Sequence, residues 1–422
     1  MAKIRSITAR EILDSRGNPT LETSVRLEDG SAALAGVPSG ASVGTLEAVE
    51  LRDADPRRFA GMGVLHALNN ITTIIAPQLI GKDASNQRAV DMLLLNLDTT
   101  KTKQRLGANT ILSVSVAVAC AQALSQKKPL YQYINELIKS LGLVVEPKVP
   151  PPTFNIINGG QHGAGNLDFQ EFHVLPASAR AYREALRMGV EIYHQLKNVL
   201  IEKGATYSVG DEGGYAANLY TNLDACQTII EAIKKTPYKF GVDVFFGLDI
   251  AANHFFSNGK YTIKDKPLPL NRDEFITYLG ELNNQYKLIY LEDPLSEDDW
   301  EGWKKLTALL GKGTMIVGDD LLVTNPERLK SAIDSHAANS ILIKPNQIGT
   351  LSETINVIKL AKNAGFKTIV SHRSGETNDT YIADFAVGIA ADYVKFGAPA
   401  RGERVAKYNR LLQIESELKQ KQ

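Results

Sequence analysis

Six apolar runs in the second half of the chain each lead into an ionisable group. The runs read FFGLD, LIYLED, MIVGDD, ILIK, TIVSHR and YVK, and the groups are Asp249, Glu292, Asp319, Lys344, His372 and Lys395. Asp249, Glu292 and Asp319 are hard oxygen donors with no cysteine or close histidine pair beside them, which favours Mg²⁺ over zinc or copper. Lys344, His372, Arg373 and Lys395 bring positive charge to the runs that follow. Arg373 can grip a phosphate or carboxylate bidentately, and Ser374 can add a hydroxyl contact. One half of such a site suits a metal and the other an anion.

Lys344 is the group with most to explain, because it ends an apolar run and is followed at once by Pro345. A free lysine has a pKa of about 10.4 and is a poor base at neutral pH. Desolvation, Lys395 and a bound divalent cation are expected to push it down to about 7–8, a change of roughly 4 kcal/mol. A lysine base beside a divalent metal suits removal of a proton α to a carboxylate. Three glycine-rich loops add candidate contacts: PSGASVG (38–44), NGGQHGAGN (158–166) and GDEGGY (210–215). None is a Walker A loop, and GMG at 61–63 lacks the third glycine of a dinucleotide fingerprint. GDEGG packs two acids into a loop without an apolar partner, and a carboxyl there can serve as general acid.

Taken singly, each group has an ordinary explanation. A strand-end aspartate often caps the next helix, and a strand-end lysine is usually a solvated edge residue. Six in register are harder to dismiss, since the gaps between them are 43, 27, 25, 28 and 23 residues, close to one β/α repeat after the first. In a β/α barrel the C-terminal strand ends converge on one face, where active sites sit. By contrast SEDDW (296–300) reads as the acidic start of a helix, KTKQR (101–105) as a solvated face, and His66 and His194 as ordinary helix residues.

The elements that position these groups fall into two kinds. In LETSVRLEDG, Leu21, Thr23, Val25 and Leu27 alternate with polar residues, predicting a half-buried strand that turns at Asp29-Gly30. Val64, Leu68, Ile71, Ile75 and Leu79 form one helical face. Strands then helices indicate an α+β module over residues 1–138, ending before the proline cluster PKVPPP. From 139 to 422, short apolar runs alternate with helical stretches, as in β/α units. LSETINVIKLAKNAG is the clearest helix, with Leu351, Ile355 and Ile358 on one face and Gly365 as its stop.

With 422 residues the chain is too long for one small core. The 47 basic and 47 acidic residues balance, which argues against a nucleic-acid partner held by bulk charge. Cys120 and Cys226 are expected to be buried thiols, in keeping with a reducing cytoplasm. The charged N-terminus has no signal-peptide core. ILSVSVAVACAQAL is expected to be a buried helix too short for a membrane span.

At this point the chain resembles the enolases. The likeness is carried by DSRGNPT (14–20), PSGAS (38–42), GANTILSVS (107–115), NIINGG (155–160), QEF (170–172), VGDEGGYA (209–216), LEDPL (291–295), GDDL (318–321), NQIGTL (346–351), SHRSGET (371–377) and RVAKYN (404–409). The pairing of a lysine base with magnesium resembles the arrangement of enolase-superfamily sites. The resemblance implies an eight-fold α/β barrel with an antiparallel start, preceded by the α+β domain, and reversible dehydration of 2-phosphoglycerate to phosphoenolpyruvate. It implies that Asp249, Glu292 and Asp319 hold one Mg²⁺, while Ser42, on a closing loop, helps bind a second that arrives with substrate. Lys344 would take the C2 proton and Glu212 would protonate the departing hydroxyl, supported by Glu171. His162 and Gln170 would lie beside the substrate, Arg373 and Ser374 would hold its phosphate with His372 nearby, and Lys395 its carboxylate. Homodimers, or octamers of dimers, are implied as well. Pro345, Phe396, His254 and Gly163 depart from the pattern. Three rivals are weighed: a superfamily enzyme acting on another acid, a non-catalytic binding protein on this scaffold, and a two-metal phosphohydrolase, which has no need of a lysine base.

Overall fold

A computed structural model describes residues 2–40, 47–163 and 165–420. The N-terminal part is a three-stranded antiparallel sheet, Ile4–Leu13, Pro19–Leu27 and Ala32–Gly36, in that order. Leu21, Thr23, Val25 and Leu27 are all buried, as their alternation requires. Gly30, at φ +91°, makes the turn between the second and third strands. The helix Ala108–Ser125 lies across this sheet, and Thr23 Oγ1 donates to Ser113 Oγ at 2.8 Å between the two layers. This helix corrects one expectation. Its 18 residues, of mean hydropathy 1.5, are long and apolar enough to cross a membrane, yet 83 % of them are buried inside the protein. Ala108, Asn109 and Thr110 extend it beyond the apolar run because each is itself packed away from water.

The predicted face over residues 64–79 holds, with Val64, Ile71, Ile75 and Leu79 fully buried, but a π-helical turn over Asn70–Ile75 interrupts it. Pro77, which has no N–H to donate, follows this widened turn. The helix Leu130–Ser140 runs across residue 138 and packs on the barrel helix Tyr381–Gly388, where Asn135 Nδ2 donates to Gly388 O at 2.9 Å.

Eight strands close into a barrel: Pro152–Asn158, Glu171–Pro176, Val244–Asp249, Leu288–Glu292, Met315–Gly318, Ser340–Ile343, Lys367–Ser371 and Tyr393–Lys395. The second strand is antiparallel to both neighbours, and every other pairing is parallel. Its reversed direction puts its first residue, Glu171, level with the last residues of the next two strands, Asp249 and Glu292. One step further in, His173 aligns with Gly247 and Gly247 with Tyr290. The helix Leu351–Asn363 has Leu351, Ile355 and Ile358 buried, Thr350 capping its start and Gly365 at φ +76° just past its end.

The two parts are fastened by buried polar contacts. Asp91 and Ser115 accept from the first backbone N–H groups of that same helix, Ser352 N at 2.9 Å and Leu351 N at 3.1 Å. Lys103 was expected on a solvated face, and here the structure disagrees. Its side chain is 8 % exposed, its stem lies against Gly349, and Nζ pairs with Glu353 at 2.9 Å. A charge run reads as solvated only until a partner domain covers it. Cys226 is buried and Cys120 half-buried, both as free thiols.

Candidate active site

All six strand-end groups arrive where their spacing put them. The strands end on Asp249, Glu292 and Lys395, or one residue before Asp319, Lys344 and His372. One pocket at these ends is lined by His162, Gln170, Glu171, Glu212, Asp249, Asp319, Lys344, His372, Arg373, Ser374 and Lys395, together with Glu47, His254, Asp293 and Asp320. Glu292, 1 % exposed, does not line it and is met through Lys395. Ser42 lies outside the described residues.

The charges pair in a way the sequence reading did not anticipate. Lys395 Nζ is set among Asp249 Oδ2 at 2.9 Å, both oxygens of Glu292 at 2.8 Å and Glu171 Oε2 at 3.2 Å. Burial opposes its charge, but these carboxylates hold the ammonium well above the ordinary lysine range. Asp319 is not part of that group; it pairs with Lys344 and accepts from Gln347 Nε2 at 3.2 Å. Lys344 is therefore not pushed down as expected. Burial is the largest influence and acts downward with Arg373 and Lys395, yet the carboxylates, Asp319 foremost and Glu292 behind it, leave the pKa raised. Pro345 does what its ring dictates: Lys344 is extended at φ −128°, ψ 100°, and a 3-10 turn begins at the proline.

On the opposite side Glu212 accepts from Ser374 Oγ at 2.8 Å and Asn155 Nδ2 at 3.3 Å, and faces His372 Nε2 at 3.2 Å. Burial pushes this carboxyl up, but His162 and His372 bring it well below the carboxylate range, so it carries no proton of its own at neutral pH. The proton sits beside it. His162 Nδ1 is 3.0 Å from Glu171 Oε1 and 3.6 Å from Glu212 Oε1. Burial works against its charge, but Glu212 and Glu171 raise it to about 9. Glu171 is crowded by burial and by Glu212, and is nonetheless drawn down to about 2 by Lys395, His162 and His173. Gln170 Nε2 reaches Asp249 Oδ2 at 3.5 Å.

The SHRSGET loop is held from behind. Arg404, fully buried, donates to His372 Nδ1 at 2.8 Å and to the carbonyls of Arg373, Ser374 and Asp211. Glu376 accepts from Arg373 N at 3.2 Å and pairs with the buried Lys407 at 2.8 Å. Arg373 itself pairs with Glu47 of the N-terminal part at 3.0 Å and donates to Asn346 Oδ1 at 3.1 Å.

The acids fit a hard divalent cation. Carboxylate oxygens of Asp293, Asp319 and Asp320 lie within 4.8 Å of one another. Burial and mutual repulsion push Asp320 up to about 7 and Asp293 well above the usual range. Glu292 is likewise raised by burial and by Asp249. Oxygen donors crowded to this degree are stabilised by a divalent positive charge. Among the described residues, the tightest acidic group is thus Asp293, Asp319 and Asp320, while Asp249 and Glu292 gather around Lys395.

Reading the sequence missed Glu47, His173, Tyr290, Gln347 and Arg404 as site residues, and left Asp293 and Asp320 unweighted inside LEDPL and GDDL. Two signals were available: the doubled acids, and the two-residue period that puts His173 on the same face as Glu171. Of the departures from the family pattern, His254 lines the pocket, with burial lowering its pKa against Asp249. Phe396 is fully buried with its ring 6.1 Å from that of Tyr408. Gly163 is extended, and a Cβ there would meet Asn158 O at 2.3 Å, so this backbone admits only glycine.

A closed β/α barrel with an antiparallel start, an acid-and-lysine cluster at its strand ends and the SHRSGET loop beside it is the architecture of a barrel enzyme. Residues 4–134 match the family described as enolase, N-terminal domain, and residues 146–422 match enolase, C-terminal TIM barrel domain. The chain belongs to the enolase family, whose members are in general Mg²⁺-dependent, and is an enolase-type enzyme.

Proposed function

We propose that the chain catalyses the reversible dehydration of 2-phospho-D-glycerate to phosphoenolpyruvate, the step shared by glycolysis and gluconeogenesis. The observation that carries this reading is that one pocket presents Lys344 from the Ser340–Ile343 strand end and Glu212 from the GDEGG loop, with Arg373, Ser374 and Lys395 in the same lining. An elimination needs a base for C2–H and an acid for the C3 hydroxyl, and a phosphate and a carboxylate must be held between them.

Asp249, Glu292 and Asp319 would hold Mg²⁺, with Asp320 and Asp293 next to Asp319, and a second Mg²⁺ would come with substrate. When bound, the metal supplies positive charge that offsets the negative charge building on the substrate carboxylate. The chain's own groups do the proton work. With Asp319 drawn away from Lys344, burial, Arg373 and Lys395 lower the lysine pKa, and of the groups around it Glu292 opposes them. Its neutral Nζ then takes the C2 proton. His162, protonated at neutral pH and 3.6 Å from Glu212, is a local source for the proton that Glu212 passes to the departing C3 hydroxyl. The C3–O bond breaks, water leaves and the C2–C3 double bond forms. Arg373 and Ser374 hold the phosphate and Lys395 the carboxylate, each exchanging an internal partner for the ligand.

The assay is ultraviolet absorbance of the enol product from 2-phosphoglycerate, with and without Mg²⁺. A metal-dependent signal is expected, reduced by about 10²–10⁴ or more in Lys344→Ala. A silent wild type, full activity in the variant, or release of inorganic phosphate in place of the enol product would overturn the reading.

A further inference from the structure

Beneath the carboxylates lies a second polar layer that the proposed reaction does not use. Glu171, Asp249 and Glu292 stand level on three adjacent strands, and one step inward stand His173, Gly247 and Tyr290. The vertical relation comes from the strand period of two, with His173 two residues after Glu171 on the reversed strand and Tyr290 two residues before Glu292 on a forward one. Each ring is bonded to the carboxylate above it. His173 Nε2–H donates to Glu171 Oε2 at 2.7 Å, and the Tyr290 hydroxyl donates to Glu292 Oε2. Thr153 Oγ1 lies 3.2 Å from His173 Nδ1 and fixes the ring from its other side.

The rings also fix each other. They stack at 5.4 Å between centroids and 21° between planes, across the strand that carries Gly247. A Cβ on Gly247 would sit 2.9 Å from Tyr290 Cβ and 2.8 Å from Leu175 Cδ1, so glycine is what leaves room for the stack. His173, Tyr290 and Thr153 are fully buried, and Tyr290 joins Leu175, Val317, Leu342 and Ile369 in the apolar interior of the barrel. Aromatic rings at this depth normally serve packing alone. These two instead spend their polar atoms on the two glutamates that flank Lys395 Nζ, at 3.2 Å and 2.8 Å.

We infer that His173 and Tyr290 are positioning residues which together aim Glu171 and Glu292 at a common centre and thereby set the affinity of the site for a divalent cation. The inference rests on the proposed assignment of Glu292 as a metal ligand, and partners of liganding carboxylates commonly carry such an effect. Because the rings touch, they act as one unit, and loss of either hydrogen bond loosens both glutamates.

The test is Mg²⁺ binding by calorimetry and Mn²⁺ binding by electron paramagnetic resonance on the full chain without substrate. Tyr290→Phe keeps the stack and removes only the hydroxyl; His173→Phe keeps a ring and removes both hydrogen bonds; His173→Gln restores a donor. Each Phe variant is expected to bind the cation about 10-fold more weakly, with His173→Gln recovering most of the loss. A role in packing alone predicts lowered thermal stability with cation affinity unchanged. If Tyr290→Phe does not give the native near-ultraviolet circular dichroism spectrum, the His173 pair decides. Phe variants whose cation affinity stays within about twofold of the parent overturn the inference. A parent that turns over 2-phosphoglycerate while the Phe variants bind normally sinks this inference alone. A parent that binds Mg²⁺, loses affinity in the Phe variants and forms no enol product sinks the proposed reaction and leaves this inference standing. A parent that binds no divalent cation overturns both.

Discussion

Arg404→Leu removes four hydrogen bonds from the back of the site at once. The guanidinium is fully buried and donates to His372 Nδ1 at 2.8 Å, to the carbonyls of Arg373 and Ser374 at 2.6 Å each, and to Asp211 O at 3.2 Å. Leucine fills part of the volume and donates nothing, so the buried acceptors Arg373 O and His372 Nδ1 lose this donor, while Ser374 O keeps Ser15 Oγ at 3.1 Å and Asp211 is exposed to water. At about 1–2 kcal/mol for each buried acceptor, the expected loss of stability is about 3 kcal/mol. The chemical effect is separate. An arginine N–H bonded to Nδ1 makes that atom an acceptor, which puts the imidazole proton on Nε2, the atom facing Glu212 Oε2 at 3.2 Å. Burial holds His372 below the usual histidine range, Glu212 opposing and Arg404 assisting, so removing the arginine raises its pKa. The loop carrying Arg373 and Ser374 shifts at the same time, and a displacement of about 1 Å at a positioned group costs about 100-fold in kcat/KM. Urea unfolding gives the first quantity and the enol-product assay the second, while ¹⁵N chemical shifts of His372 report the tautomer. A variant within about 1 kcal/mol of the parent, with kcat/KM within about threefold and the Nε2–H tautomer retained, would refute this account of Arg404.

The remaining predictions concern charge and the join between domains. His162 has its pKa raised from 6.5 to about 9 by Glu212 and Glu171 against burial, so its stabilisation is complete below 6.5 and lost as pH rises through about 9. His162→Gln in chelator is expected to flatten that alkaline decline, and unfolding free energies measured across the window check it; an unchanged slope refutes the pairing. Glu171 runs the other way: lowered from 4.5 to about 2, it stabilises above 4.5, and the gain vanishes as pH falls through about 2. Glu171→Gln should therefore shallow the acid limb of the same curve. Lys103→Met leaves Glu353 without its 2.9 Å partner at a largely buried junction and is expected to cost about 2 kcal/mol in urea unfolding; a change under about 0.5 kcal/mol would show the pair to be incidental. Chelation should lower the thermal midpoint, and Mg²⁺ at about 100 times its Kd should return about 2.7 kcal/mol, a gain that Asp319→Ala abolishes.

The barrel was legible because its signal is local and repeated. Apolar runs ending in Asp249, Glu292, Asp319, Lys344, His372 and Lys395, near-constant in spacing after the first gap, carry both the strand and its C-terminal charged end in one short stretch. The Leu351–Asn363 helix and the Asp29-Gly30 turn were legible for the same reason, each being specified by its own periodicity and stop residue. Lys103 was misread because a charge run says nothing about what a distant segment, here Glu353, brings to cover it. The extent of the Ala108–Ser125 helix was underestimated because Asn109 and Thr110 look polar until the fold buries them.

The residue types alone determined the chemistry available: oxygen donors for a hard cation, lysines and an arginine for an anion, a loop carboxyl for acid catalysis. Those follow from composition and spacing, which the chain carries before it folds. Which charge meets which was decided only by tertiary structure. Lys344 faces Asp319, Lys395 faces Glu171, Asp249 and Glu292, and the acid-side proton rests on His162 beside Glu212. Charge–charge energy depends on distance and burial, and both are set by strands up to hundreds of residues apart meeting at one rim. The sequence could therefore name the groups, but not their protonation states.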